Sequence, residues 1–435
     1  MRIDRIIRVF NWGTKEIKMK KSLQVIVTMC LIMLTPISVL AQVDNEATYE
    51  ITTNSIENWP KGPEILADTG VLMGMETGEI LYDKGMNEKR YPASITKIVT
   101  ALIALENSSP EQEVVFSARS LEGMYEGTNL GMQEGEILTM DQCLKIMMIR
   151  SANEVANQIA ETVGGTREEF SAMMNARAAE IGCENTHFNN PSGMPDENHY
   201  TTAYDMALIF REALNNEKFR ELIGTVDFFV KPTNKNPEER YIHTNHHLFV
   251  STVPQHYKGV IGGKTGNTKV AGSTLVTGVE RDGINFIGVV MRTEDHLYCC
   301  EDTTKLFNYG YKEFEKINAE EGNLLVPKNA TADDIQVEEK DLGAGGLVEK
   351  TYSYNGYLLG TMEGKKIEQS VTPTPSANST IVPTQSTLAP KVPKGIPISL
   401  LMRRIIVVMS GVIILGLILI IIVAVRKKIR RKKKK

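Results

Sequence analysis

Cysteine is scarce in this chain, with five in 435 residues. Cys30 lies in an apolar run near the N-terminus and lacks the small residues that precede a lipid-modified cysteine. The other four, Cys143, Cys183, Cys299 and Cys300, are too few to staple a chain of this size. A bond between the neighbours Cys299 and Cys300 would be strained, so free buried thiols are expected. Basic charge is missing from the middle of the chain. Of 49 Lys and Arg, 18 lie in residues 1–41 and 401–435, against only two of 53 Asp and Glu, so residues 42–400 carry a net charge of about −20. That excludes nucleic acid, whose phosphates need basic surface, and an anionic substrate must be captured locally. His-Glu-x-x-His and the Gly-x-x-x-x-Gly-Lys phosphate loop are both absent. His243, His246, His247 and His256 cluster, but no carboxylate stands at ligand spacing, so neither metal nor cofactor is expected.

The two ends read as membrane signals. Lys18, Lys20 and Lys21 precede an apolar run from Leu23 to Leu34, and Val39-Leu40-Ala41 offers small residues to a signal peptidase. Residues 1–41 are therefore expected to be an export signal, with Met19 a candidate start. Ile405 to Val425 is an uncharged run of 21 residues, about a bilayer core in length. Eleven residues in this C-terminal part are basic, and the larger cluster, residues 426–435, follows the run. By the bias of basic residues toward the cytoplasm, this predicts a single transmembrane helix with residues 42–400 outside the cell. Residues 371–397, rich in Pro, Ser and Thr, read as an extended spacer.

Between these ends the pattern is globular. Ile65 to Met75 and Ile80-Leu81-Tyr82 read as strands joined by a turn at residues 76–79. Ile98 to Leu105 is apolar nearly all round and reads as a buried helix. Helical patterns follow over Met140–Val163, Arg167–Ile181 and Thr202–Leu214. Strands are expected at Ser273–Val279 and Ile284–Met291 around Arg281-Asp282-Gly283, and a closing helix at Thr303–Phe314. Strands, then helices, then strands predict an α+β fold in which an antiparallel sheet packs on a helical cluster. Residues 60–315 would form that domain and 318–366 a small all-β module.

Three stretches carry chemistry. In Pro92-Ala93-Ser94-Ile95-Thr96-Lys97, Ser94 and Lys97 share one helical face at the helix N-terminus. A desolvated Lys97 can be neutral and take the serine proton, while free backbone N–H groups there suit an oxyanion. One Ser-x-x-Lys is expected by chance in a chain this long. Ser151-Ala152-Asn153 could be a helix cap. Gly262-Gly263-Lys264-Thr265-Gly266-Asn267 could be a turn, although its glycines also admit a ligand closely. Together, Ser-x-x-Lys, Ser-x-Asn and Lys-Thr-Gly in this order form the motif set of penicillin-binding proteins and class A β-lactamases.

The wider chain resembles the low-molecular-mass D-alanyl-D-alanine carboxypeptidases. The likeness runs from about Ile65 to Tyr311 and includes Thr77–Tyr82, Met174–Ala178, Thr186–Gly193 and His199–Met206. It implies a β-lactamase/transpeptidase-like domain and a serine hydrolase that removes the terminal D-alanine from peptidoglycan stem peptides. Ser94 would be the nucleophile, Lys97 a general base whose role is disputed in this superfamily, and Ser151 a proton relay. Asn153, Lys264, Thr265, Gly266 and Asn267 would bind substrate, with the N–H groups of Ser94 and Asn267 as the oxyanion hole. β-Lactams would acylate Ser94. Two rivals share the fold. A β-lactamase would need a Glu-x-x-x-Asn loop, of which no convincing copy is found. A silent wall-binding protein would not need intact motifs.

Overall fold

The computed structural model describes residues 48–123, 127–319, 322–343 and 347–365. The expected export signal, spacer and membrane span lie outside these. Among the described residues no helix is long and apolar enough to cross a membrane.

The chain enters through β1 (Thr69–Gly74) and β2 (Ile80–Lys84). A single 3-10 turn, Ala93–Thr96, leads into α1 (Lys97–Asn107). The short strands β3 (Glu113–Val115) and β4 (Ile137–Thr139) form a ribbon. Then come α2 (Met140–Arg150), α3 (Asn153–Gly164), α4 (Arg167–Ile181), α5 (Ala203–Ala213) and α6 (Glu217–Ile223). A small hairpin, β5 (Asp227–Val230) and β6 (Arg240–His243), precedes the long strands β7 (Val260–Thr268), β8 (Gly272–Arg281) and β9 (Ile284–Thr293). α7 (His296–Glu313) runs directly into β10 (Phe314–Ala319), which pairs with β11 (Gly322–Pro327). β12 (Ile335–Asp341), β13 (Leu347–Tyr354) and β14 (Tyr357–Lys365) complete the described chain.

Early and late strands meet in one antiparallel sheet of order β2-β1-β9-β8-β7. The two-residue period of a strand sends alternate side chains to opposite faces. Val71, Met73, Val289 and Met291 bury against helices α1 to α6, while Leu72 and Val290 bury against α7 with Leu306 and Phe307. Both faces are thus covered, and the sheet reads as nearly continuous apolar runs. β7 is an edge strand, and it packs against the turn that carries Ser94. α1 is the buried helix expected: residues 97–104 are all buried.

Several boundaries differ from the sequence reading. The helical pattern over 140–163 is two helices, because Ser151 adopts a left-handed conformation (φ 65°) and breaks it. α7 begins seven residues before Thr303, where Asp295 caps it by accepting from Leu297 N. The third motif is not a turn but the body of β7. Within the expected all-β module, Asn355-Gly356 supplies two consecutive left-handed residues and folds β13 back onto β14. β10 begins at Phe314, before the expected 318, and strands β10, β11, β13 and β14 share a core with the main sheet. Leu325 N donates to the buried Glu79, Tyr357 Oη to the Ile80 carbonyl, and Trp59 packs edge-on to Tyr354 and Tyr357.

Candidate active site

All three motifs converge. Ser94 sits in the 3-10 turn and Lys97 at the first position of α1, so the spacing expected from sequence becomes a contact: Lys97 Nζ lies 3.0 Å from Ser94 Oγ. Lys97 is fully buried. Its amine also donates to Asn153 Oδ1 (2.7 Å) and to the Ser192 carbonyl (2.6 Å). Two of the three neighbours are pure acceptors, so a neutral amine spends both hydrogens on them and turns its lone pair to the Ser94 hydroxyl. An ammonium satisfies all three. The same cradle therefore serves the lysine before and after it takes a proton. Burial, and next the positive charge of Lys264, push the Lys97 amine well below its ordinary range.

Ser151 and Asn153 do not cap α3; the Ncap position is Ala152, with no side-chain bond. The left-handed backbone of Ser151 costs about 1–2 kcal/mol and aims its hydroxyl at Lys264, whose Nζ donates to Ser151 Oγ at 3.1 Å. Lys264 is 2% exposed, also donates to the Thr265 carbonyl (2.8 Å), and is lowered to about 7 by burial. Ser94–Lys97 and Ser151–Lys264 are thus two hydroxyl–amine pairs, near enough that the Lys264 charge acts on Lys97. Thr265 Oγ1 donates to Asn245 Oδ1 (2.8 Å). Gly266 lets β7 close on the nucleophile turn: a Cβ there would stand 2.9 Å from Ser94 N and 2.4 Å from Thr274 Oγ1. Thr274 in turn donates to the Pro92 carbonyl. Asn267 is exposed at the strand end, where its amide donates to Ser273 Oγ.

A second layer was not singled out from sequence as functional. Asn190 Oδ1 accepts from Ser192 N, Ser192 Oγ, Gly193 N and Met194 N, which fixes the Ser192 carbonyl that Lys97 meets. The Asn-Pro-Ser-Gly string is a turn signature that could have pointed to this loop. Gly193 has φ +86°, and a Cβ there would lie 1.8 Å from the Ala93 carbonyl oxygen. His199 Nδ1 accepts from Asn189 N, so Nε2–H donates to Thr96 Oγ1 (2.9 Å). Burial lowers this imidazole to about 3 and keeps it neutral, which suits a brace under the turn. Glu154 Oε1 accepts from Leu130 N and Gly131 N, holding the segment above α3. The histidine cluster disperses: His243 pairs with Asp227, His246 contacts Thr277 Oγ1, and His247 faces α7. His187 Nδ1 hydrogen-bonds to the Asn198 carbonyl, away from the motif residues.

A buried lysine poised on a serine, a second serine–lysine pair nearby, and a close edge strand define a serine acyl-transfer hydrolase on the penicillin-binding fold. Residues 56–295, more than half of the sequence, match the D-alanyl-D-alanine carboxypeptidase family of serine peptidases, and the chain belongs to it. It is 29% identical over 290 residues to the D-alanyl-D-alanine carboxypeptidase DacF of Bacillus subtilis, covering 66% of this chain and 70% of that one. It is 31% identical over 234 residues to DacB2 of Mycobacterium tuberculosis, covering 53% and 76%. Among solved structures, the D-alanyl-D-alanine carboxypeptidase of M. tuberculosis H37Rv superposes with a TM-score of 0.54 at 27% identity, over 61% of this chain and 97% of the other. The Streptomyces K15 DD-transpeptidase gives 0.54 at 27%, over 58% and 99%. The chain is a serine-type D-alanyl-D-alanine carboxypeptidase.

Proposed function

We propose that the enzyme removes the terminal D-alanine from peptidoglycan stem pentapeptides through an acyl-Ser94 intermediate, and that β-lactams acylate the same oxygen. The observation that carries this reading is the buried Lys97 amine at 3.0 Å from Ser94 Oγ, with both its other partners acceptors.

In this reading the neutral Lys97 takes the Ser94 proton as Oγ attacks the carbonyl between the last two D-alanines. The N–H groups of Ser94 and Asn267 receive the oxyanion. Ser151, held by the Lys264 amine at 3.1 Å, relays the proton taken by Lys97 to the leaving amine. Asn153 positions Lys97 and offers Nδ2, which among the described residues meets the Met194 thioether at 3.5 Å, to a substrate carbonyl. Lys264, Thr265 and Gly266 hold the terminal carboxylate, whose charge draws the Lys264 amine to its ammonium form. Water then releases the shortened peptide. No metal enters any step.

The site works outside the cell on this proposal. Residues 1–41 direct export, residues 371–397 act as a spacer, Ile405–Val425 spans the bilayer once, and the basic tail stays in the cytoplasm. The anionic character of residues 42–400 supports local capture of the substrate carboxylate by Lys264.

The test is product analysis by mass. The purified enzyme is incubated with a pentapeptide ending in D-Ala-D-Ala and with crosslinked muropeptides, beside a Ser94→Ala control. Free D-alanine and tetrapeptide from the wild type alone are expected. Equal release by Ser94→Ala, or none by the wild type, would sink the proposal.

A further inference from the structure

A second cluster of reactive side chains lies on the face of the sheet covered by α7. His296 opens α7 and Cys300 follows four residues later, so both project from one side of the helix. His247, in the loop after β6, comes over them: its ring centroid lies 5.1 Å from that of His296. One donor atom from each of His247, His296 and Cys300 falls within 4.8 Å of the other two, and His296 Nε2 is 3.7 Å from Cys300 Sγ. A tetrahedral Zn2+ with ordinary bond lengths separates its ligand atoms by about 3.3–3.8 Å, so small side-chain rotations would close the set. His247 Nδ1 is buried without a hydrogen-bond partner. His296 is hydrogen-bonded to the Asn245 backbone, an outer contact of the kind that orients a ligating imidazole.

We infer that His247, His296 and Cys300 form a binding site for a thiophilic first-row cation, with Zn2+ the ion their donor set suits. Two imidazoles and a thiolate match that ion and disfavour Mg2+ or Ca2+, which seek oxygen. Cys300 is buried, while both histidines are only half-buried, which leaves room for a solvent molecule as fourth ligand. Binding converts the Cys300 thiol to a thiolate and releases its proton to solvent. The site takes no part in acyl transfer. Its link to the cleft is mechanical: the loop it ties to α7 also carries Asn245, which accepts from Thr265 Oγ1 on the substrate-binding strand. Ion binding would clamp that loop behind β7.

The test titrates the purified full-length enzyme in detergent, stripped with a chelator, with Co2+ as spectroscopic probe. A thiolate-to-cobalt charge-transfer band saturating at one equivalent and displaced by Zn2+ is expected. Cys300→Ser should abolish the band, His247→Gln should weaken binding by about 100-fold or more, and Cys299→Ser should leave it unchanged. Circular dichroism of each variant separates lost binding from lost folding. Hydrogen exchange supplies a second readout, with slower exchange at residues 244–248 on Zn2+ loading. No band in the wild type, a band that survives Cys300→Ser, or exchange unaltered by Zn2+ would overturn the inference.

Discussion

Lys264→Met separates what this lysine does for catalysis from what it costs the fold. Lys264 is buried and its amine is lowered from 10.5 to about 7. A lysine whose folded value lies below its unfolded value destabilises the folded state. The penalty is full below pH 7, falls by about 1.4 kcal/mol per pH unit between 7 and 10.5, and is gone above 10.5. At pH 6 it is on the order of 4–5 kcal/mol. Methionine fills nearly the same volume and carries no charge, but it abandons Ser151 Oγ and the Thr265 carbonyl, at a cost of about 1–2 kcal/mol. The variant should therefore be about 3 kcal/mol more stable than wild type at pH 6 and no more stable at pH 10. Activity on the pentapeptide should fall by at least about 100-fold, since a buried charge-assisted contact to the carboxylate is lost. The assay is urea unfolding at both pH values. A variant less stable at pH 6, or a difference independent of pH, would refute the reasoning.

Other expectations follow from the same geometry. Asn153→Ala removes one acceptor from the Lys97 amine, and acylation by penicillin should slow by about 10–100-fold while the fold persists, as stopped-flow labelling would record. Gly193→Ala forces a Cβ into the Ala93 carbonyl at a left-handed backbone position, so both the melting temperature and the acylation rate should drop together. Arg240→Met breaks a 2.6 Å pair with the fully buried Glu136 and should cost about 3–5 kcal/mol in denaturant unfolding without touching the catalytic residues.

Much of the site was legible because its chemistry is local. Ser94 and Lys97 are one helical turn apart, so the pattern alone placed them face to face. Ser151, Asn153 and Lys264 were legible only as an ordered set, since each alone has a bland reading. What the sequence hid was set by backbone detail. Ser151 breaks what looks like one continuous helix because a left-handed residue is needed to aim its hydroxyl, and no Gly or Pro marks the break. Gly262 and Gly263 suggested a turn, yet they lie within β7, where a Cβ at Gly263 would stand 2.0 Å from the Val276 carbonyl oxygen. The Ser192 carbonyl acts through its backbone, which no side-chain pattern reveals. His247, His296 and Cys300 are separated by up to 53 positions in sequence and are joined only by the packing of α7 on the sheet. The sheet itself was legible in its late hairpin, whereas the pairing of β1 with β9 required the tertiary fold.

The central claim is that Ser94 Oγ, activated by Lys97, carries the acyl group. The most direct measurement incubates the enzyme with benzylpenicillin, quenches it in acid, digests it and maps the adduct by mass. A single penicilloyl group on the peptide containing Ser94, absent from Lys97→Ala treated alike, is the predicted result. An adduct on Ser151, on Lys97 or on no peptide would contradict the account.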